Sequence, residues 1–131
     1  MRCPPSAADE RGSAVVDFVL VMVVLVPLVL GIAQVGLVLH VRNTLTAAAS
    51  DGARAAAPLG ATPADGVERT RDLIRGALAD RYADDVTASI TTMRGVPATE
   101  VVVRAEVPAL GILGPSVDLT ATGHAVLEVA P

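Results

Sequence analysis

An apolar run from Ala14 to Leu39, in which Asp17 is the only ionisable side chain, constrains this chain more than any other feature. A helix of these 26 residues would be about 39 Å long, enough to cross a hydrocarbon core of about 30 Å. Val and Leu fall on every face, so the run lacks the polar stripe of a surface helix. The sequence predicts one membrane-spanning helix. A removed signal peptide is the alternative, but its apolar region would be only about 7–15 residues long.

The helical pattern continues beyond Leu39, and we expect one long helix over 14–57. Small residues recur along it at three- and four-residue steps, a spacing that places them on one face. Such a face permits the close approach of another helix. The residues expected to pack in this way are Gly36, Ala48, Ala49, Gly52, Ala53 and Ala56.

The remaining residues, 58–131, predict a small α+β domain. Thr62 and Pro63 are typical of a helix start, and the apolar spacing extends that helix to about Tyr82. Alternation of period two then predicts three antiparallel strands with one apolar face. We expect the first strand to place Val86, Ala88 and Ile90 on that face, a connection over 94–98, and a last strand over 117–129 that is interrupted at Gly123.

Composition argues against several classes of function. The net charge is −4 and only 2% of residues are aromatic, which leaves neither a basic patch nor a stacking platform for nucleic acid. One cysteine, Cys3, excludes an intrachain disulfide, and His40 and His124 are too far apart in sequence for an ordinary structural zinc site. We therefore expect no cofactor and no nucleic-acid partner.

Catalytic residues are equally hard to find. A Ser89, His124 and Asp118 triad can be written down, but no strand–turn–helix motif marks the serine as a nucleophile. Asp84 and Asp85 are adjacent acids, too few for a calcium loop and typical of a solvated turn. Asp17 is different, because an acid inside an apolar membrane segment is by default a hypothesis for a functional site. We expect no enzyme activity.

Two stretches of the chain resemble the TadE-like family, pilin-like components of tight-adherence (Tad, or Flp) pilus systems. An Arg-Gly pair at 11–12 precedes a small residue, and an acid followed by Phe, Asp17-Phe18, comes five residues after Gly12. The second stretch matches the Ala-Ala-x-x-Gly-Ala-Arg-x-Ala end of the family's helix. It comprises Gly36, Arg42, Ala48, Ala49, Gly52, Ala53, Arg54, Ala55 and Ala57.

The resemblance implies a specific route of processing and assembly. A prepilin peptidase would cut after Gly12, removing a cytoplasmic leader over 1–12 and making Ser13 the mature N-terminus. Asp17, where the family usually has Glu, would pair with the new α-ammonium group of a neighbouring pilin-like subunit, and Phe18 would lie beside it in the assembly. The resemblance also implies a single-pass membrane protein with a cytoplasmic N-terminus, an extracytoplasmic domain, and membrane lipid and the Tad/Flp assembly machinery as partners.

A different class of function stays open at this point. The same sequence is compatible with a single-span anchor that displays an extracytoplasmic binding domain unconnected with pili. Such a module would tolerate replacement of its apolar segment by another span, whereas a pilin-like subunit would not.

Overall fold

The computed structural model describes residues 7–110 and 114–130, so the first six residues of the expected leader lie outside the described chain. It contains a long N-terminal helix, a second helix, a short 3₁₀ helix and a three-stranded antiparallel sheet, which confirms the predicted α+β class. The elements are α1 (Ala7–Ala55), α2 (Pro63–Ala77), the 3₁₀ helix (Asp80–Ala83), β1 (Asp85–Met93), β2 (Val96–Val107) and β3 (Val117–Val126).

The long helix begins earlier and ends slightly earlier than the expected 14–57. Ala, Asp and Glu precede the apolar run, and Ala and Glu favour helix while acids suit a first turn, so the helix extends back to Ala7. At its other end the helix stops at Ala55, shortly before Pro58.

The sheet has the strand order β1-β2-β3, with both pairs antiparallel. The expected connection over 94–98 is wrong, because the hairpin needs only Arg94 and Gly95. Their φ angles of 52° and 85° are the positive values that a tight two-residue hairpin turn requires. Val96 therefore already belongs to β2, and the central strand is longer than the alternation predicts.

Helix α2 starts where expected. The backbone N–H of Thr62 donates to Asp65 Oδ2 over 2.7 Å, while the Thr62 hydroxyl accepts from the Asp65 backbone N–H, forming a capping box. The expected end at Tyr82 is wrong, because Leu78 has an extended backbone and the helix stops at Ala77. The following 3₁₀ helix turns Tyr82 into the core, where it is 4% exposed.

The C-terminal half of α1 lies across the inner face of the sheet, and α2 packs against both. The hydrophobic core therefore draws on residues from both sides of the boundary expected at 57/58. Leu45 of α1, Ile74 of α2 and Val101 of β2 are fully buried in it. Ile90 lies on the predicted face, opposite the buried Thr99, but its side chain extends beyond the core and is 62% exposed. It lies on the edge strand β1, which has few neighbours besides β2 and α2.

Gly123 allows α1 to touch the sheet. A Cβ atom at this position would collide with the backbone of Ala49 and Ser50. The expected interruption of β3 at Gly123 is therefore wrong, since the strand continues through it and the glycine serves the contact instead. The expected end of β3 at residue 129 is also wrong: the strand ends at Val126, although the backbone N–H of Leu127 still donates to the Pro97 carbonyl oxygen over 3.0 Å.

Replacing Gly123 by Ala should test this contact. We expect a loss of about 1–3 kcal/mol of unfolding free energy, because backbone atoms cannot move aside as a flexible side chain can. Tyr82, the only tyrosine in a chain without tryptophan, reports unfolding by its emission in the detergent-solubilised full chain. Gly76→Ala is the control, since its Cβ would meet no described atom within 4 Å. Equal stability of the two variants would contradict the contact.

The capping box predicts a pH dependence. The hydrogen bond from the Thr62 backbone holds the pKa of the Asp65 carboxyl below its usual value of 3.8. A group with a lowered folded pKa stabilises the fold above its unfolded pKa, and this contribution is lost as the pH falls through the folded pKa.

Asp65→Ala should therefore be less stable than the natural chain at neutral pH, and the difference should shrink in acid as Asp65 becomes protonated. Urea unfolding followed by Tyr82 emission measures it at both pH values. Asp72→Ala, at an exposed position of the same helix, is the control. A difference that is the same at every pH would contradict the role given to the Asp65 carboxylate.

Candidate functional site

Helix α1 has two halves in different surroundings. From Gly12 to Ala33 every residue except the half-buried Met22 is exposed, and the segment is apolar apart from Ser13 and Asp17. This bare segment is about 33 Å long by the helical rise, comparable to a hydrocarbon core. The window of α1 that is long and apolar enough to cross a membrane is not buried at all, unlike the core helix of a soluble protein.

The residues predicted for processing and assembly all lie on this bare segment. Gly12, Ser13, Asp17 and Phe18 are exposed, and Phe18 is 61% exposed despite its size. Ser13 and Asp17 are four residues apart, so they lie on one face of the helix about one turn from each other. Their proposed roles remain predictions, because the contacts that would establish them belong to other chains.

The face that carries Asp17 continues along the helix. Positions 24, 28, 31 and 35 follow Asp17 at the spacing of one helical face. A shallow apolar groove of about 400 Å³ lies on this part of the helix, where Gly31 lacks a side chain. Its lining residues are Pro27, Leu28, Gly31, Ile32 and Val35. One face thus joins a carboxylate near the N-terminus to a groove more than halfway along the bare segment.

The predicted small-residue stripe is divided by the structure. Ala48, Ala49, Gly52, Ala53 and Ala56 are buried within the chain's own domain. Gly36 lies on the exposed surface, and a Cβ there would meet no described atom within 4 Å. The stripe is therefore used within the chain from residue 48 onward.

Gly52 lies where α1 crosses α2. A Cβ at Gly52 would collide with the Thr70 hydroxyl and approach the Gly66 carbonyl oxygen to 2.6 Å. The buried Thr70 hydroxyl donates to that same Gly66 oxygen over 2.7 Å and lies 3.4 Å from the Ala48 carbonyl oxygen. Glycine on both helices lets the two backbones approach closely, so that the Thr70 hydroxyl lies within reach of a carbonyl oxygen on each helix.

Gln34 marks the junction between the bare and buried halves, and sequence reasoning missed it. Its side-chain Nε2 donates to the Pro108 carbonyl oxygen over 3.2 Å, and its Oε1 accepts from the Leu110 backbone N–H over 2.6 Å. The loop after β2 is thereby fixed to the helix inside the run expected to span the membrane. The signal was available, since Gln34 is the only side-chain amide between Ala14 and Leu39.

The candidate triad is not assembled. His124 Nε2 lies 3.1 Å from Glu100 Oε1, and Asp118 instead pairs in register with Glu106. Ser89 and His124 both pair with Glu100, so the central strand separates them by two strand spacings, roughly 9–10 Å. A histidine at that distance cannot take the serine proton.

Other polar groups also lack a site-like arrangement. Within the described part of the chain, no group of three or more His, Cys, Asp or Glu side chains is placed to hold a metal ion. Asp85 lies 4.0 Å from Arg104 on the neighbouring strand, an exposed cross-strand pair. The polar outer face of the sheet thus holds paired charges, and the bare segment of α1 remains the feature that needs a partner.

Comparison with known proteins finds a match to one family model. The model described as TadE-like protein matches residues 12–54. This helix is TadE-like. The match confirms the predicted resemblance to the TadE-like family over these residues, and the proteins of that family are structural, pilin-like components of Tad pili. No curated protein and no solved structure is significantly similar to the chain.

The TadE-like match coincides with one structural element. It begins at Gly12, where the bare segment begins, and ends at Arg54, one residue before α1 ends. It therefore includes both the exposed apolar half and the half that forms the domain core. The sheet and α2 lie outside the match, so the family resemblance speaks to the helix and not to a ligand of the domain.

Two glycines in the TadE-like helix give a matched pair of variants. Gly52→Ala should destabilise the domain by about 1–3 kcal/mol, because its Cβ would overfill the crossing with α2. Gly36→Ala adds the same methyl group in open space and should leave domain stability unchanged or slightly raised. Urea unfolding of the detergent-solubilised full chain, followed by Tyr82 emission, measures both. Equal loss in the two variants would contradict the assignment of the crossing.

Proposed function

We propose that this protein is a pilin-like subunit that acts in assembly of a Tad/Flp type IV pilus, as a minor pilin or pseudopilin without catalysis of its own. One observation carries the proposal. The TadE-like match coincides with a single helix whose first half is bare and apolar and whose second half is the core of a small domain. Such a helix couples a membrane-embedded assembly surface rigidly to a domain outside the membrane.

The proposed topology places the N-terminus in the cytoplasm and the domain on the extracytoplasmic side. A membrane-embedded prepilin peptidase then cuts after Gly12, so that residues 1–12 leave and Ser13 becomes the N-terminus. Exposure of Gly12 and Ser13 supports this step, since no described part of the domain covers them. The leader carries Cys3, so the mature chain would contain no cysteine.

In the assembled state Asp17 pairs with the α-ammonium group of a neighbouring subunit. A carboxylate in an apolar helix bundle is strongly unfavourable alone, whereas an opposite charge nearby compensates it at low dielectric. The pair therefore fixes the axial register between subunits. Asp has one methylene fewer than the Glu usual in the family, so the two helices must approach more closely at this point.

The neighbour that occupies the Asp17 face is the apolar helix of another pilin-like subunit. The groove between Pro27 and Val35 lies on the same face and has the apolar lining that a helix surface fits. The charge pair then sets register, and the groove supplies packing along the rest of the contact.

Substitution of Asp17 tests the assembly role. Asp17→Ala should reach the membrane normally but associate with other pilus subunits at least tenfold less, since removing one partner of a buried pair costs about 3–5 kcal/mol. Asp17→Glu, the residue usual in the family, should retain association. Chemical crosslinking in membranes of the native host, followed by mass spectrometry of the products, measures the association.

Val19→Ala, at an exposed apolar position on the opposite side of the same segment, is the control. Normal association of Asp17→Ala would contradict the pairing. A further variant carries an unrelated apolar span in place of residues 14–33. Full function of that variant would favour the display module over a pilin-like subunit.

A further inference from the structure

The loop that follows β2 lies at the base of the domain. It contacts α1 at a level where the surface of the helix is still apolar. Gln34 binds this loop through Pro108 and Leu110. On the side of the helix away from the domain, Val35 and Leu39 remain 60% and 52% exposed. Leu39 lies five residues beyond Gln34, about 7 Å further along the axis. The loop is therefore attached before the exposed apolar surface of the helix ends.

The loop itself presents an apolar surface. Leu110 is 38% exposed, and Pro108 is exposed beside it. Ala109 faces Gly114 closely, since a Cβ at Gly114 would lie 2.9 Å from the Ala109 side chain. The described ends of the loop thus come together at the base of the domain, with Leu110 partly exposed.

Backbone polar groups near lipid must have partners, because lipid tails offer no hydrogen bonds. Gln34 satisfies one carbonyl and one N–H of the loop with the two ends of a single amide. The Gln34 amide thereby has a hydrogen-bond partner at its nitrogen and another at its oxygen. This arrangement lets an irregular segment lie at the boundary between headgroups and acyl chains, where apolar surfaces of peripheral segments are buried by about 5–10 Å.

From these observations we propose that the start of the loop, Pro108 to Leu110, is a second membrane contact, which rests on the lipid surface beside the transmembrane helix. The occupant of this apolar surface is the bilayer, because the surface is continuous with the bare segment of α1. This inference rests on the proposed membrane span. With one contact from the helix and another from the loop, α1 and the domain packed on it take a fixed tilt and rotation relative to the membrane.

The contact is apolar rather than electrostatic. Arg81 and Glu106 line a shallow depression of about 360 Å³ together with Pro108, so charges of opposite sign lie beside the start of the loop. Attraction of a cluster of basic residues to anionic lipid is therefore not the source of binding. The loop should contact zwitterionic and anionic membranes equally.

The absence of tryptophan makes the contact measurable. Four single-tryptophan variants of the full chain are reconstituted into phosphatidylcholine vesicles that contain lipids brominated near the headgroup or near the chain end. Val24→Trp reports the span, Leu39→Trp the end of the helix's apolar surface, Leu110→Trp the loop, and Ile90→Trp the exposed far end of the sheet. Leu39→Trp leaves the domain untouched, and circular dichroism melts confirm that the other variants are folded.

Leu110→Trp should lose emission by about twofold or more with lipid brominated near the headgroup, as tryptophan at a membrane interface does. Leu39→Trp should behave in the same way, Val24→Trp should be quenched most by lipid brominated near the chain end, and Ile90→Trp should be quenched by neither. Replacing part of the phosphatidylcholine by phosphatidylglycerol should leave these values unchanged.

If Leu110→Trp is as weakly quenched as Ile90→Trp while Val24→Trp is quenched, the loop contact is wrong and the span stands. If Val24→Trp is not quenched either, the span is wrong, and both the loop contact and the proposed function fail with it. Quenching of Leu110→Trp only in vesicles with anionic lipid would overturn the apolar nature of the contact.

Discussion

Everything in this molecule depends on the close packing of the second half of α1 against its own sheet and α2. The domain has no tryptophan and no disulfide, and a chain of its size buries too little surface to be stable without additional support. That support comes from α1, whose residues Leu45, Ala49 and Ala53 are fully buried in the core. Glycine at 123 and at 52 removes the side chains that would otherwise hold the elements apart.

This packing explains how one helix serves two environments. From Ala48 onward its small residues face the domain, whereas from Ala14 to Ala33 the same helix offers only apolar side chains and Asp17. Because the helix continues through the junction, displacement of the membrane segment moves the domain with it. A pilin-like role needs this coupling, since contacts made between helices must determine where the domains lie.

Much of this could be predicted from sequence, because periodicity records local structure directly. The apolar run, the small-residue stripe and the alternating strands each follow a period of one element. Gly123 resembles a strand break in the sequence, which does not reveal that a neighbouring backbone needs its space. The ends of the helices and the hairpin at Arg94 depend on backbone conformations that several residue types can adopt. The contacts of Gln34 join positions about 75 residues apart, which no local pattern encodes.

The most direct test of the account is the N-terminus of the protein extracted from membranes of its native host, determined by mass spectrometry. The account predicts a chain that starts at Ser13, with α1 otherwise intact. A chain that starts near Asp51 would contradict it most severely, because cleavage there would remove Val41, Leu45 and Ala49 from the domain core. An intact Met1 would contradict prepilin processing and leave a plain membrane anchor.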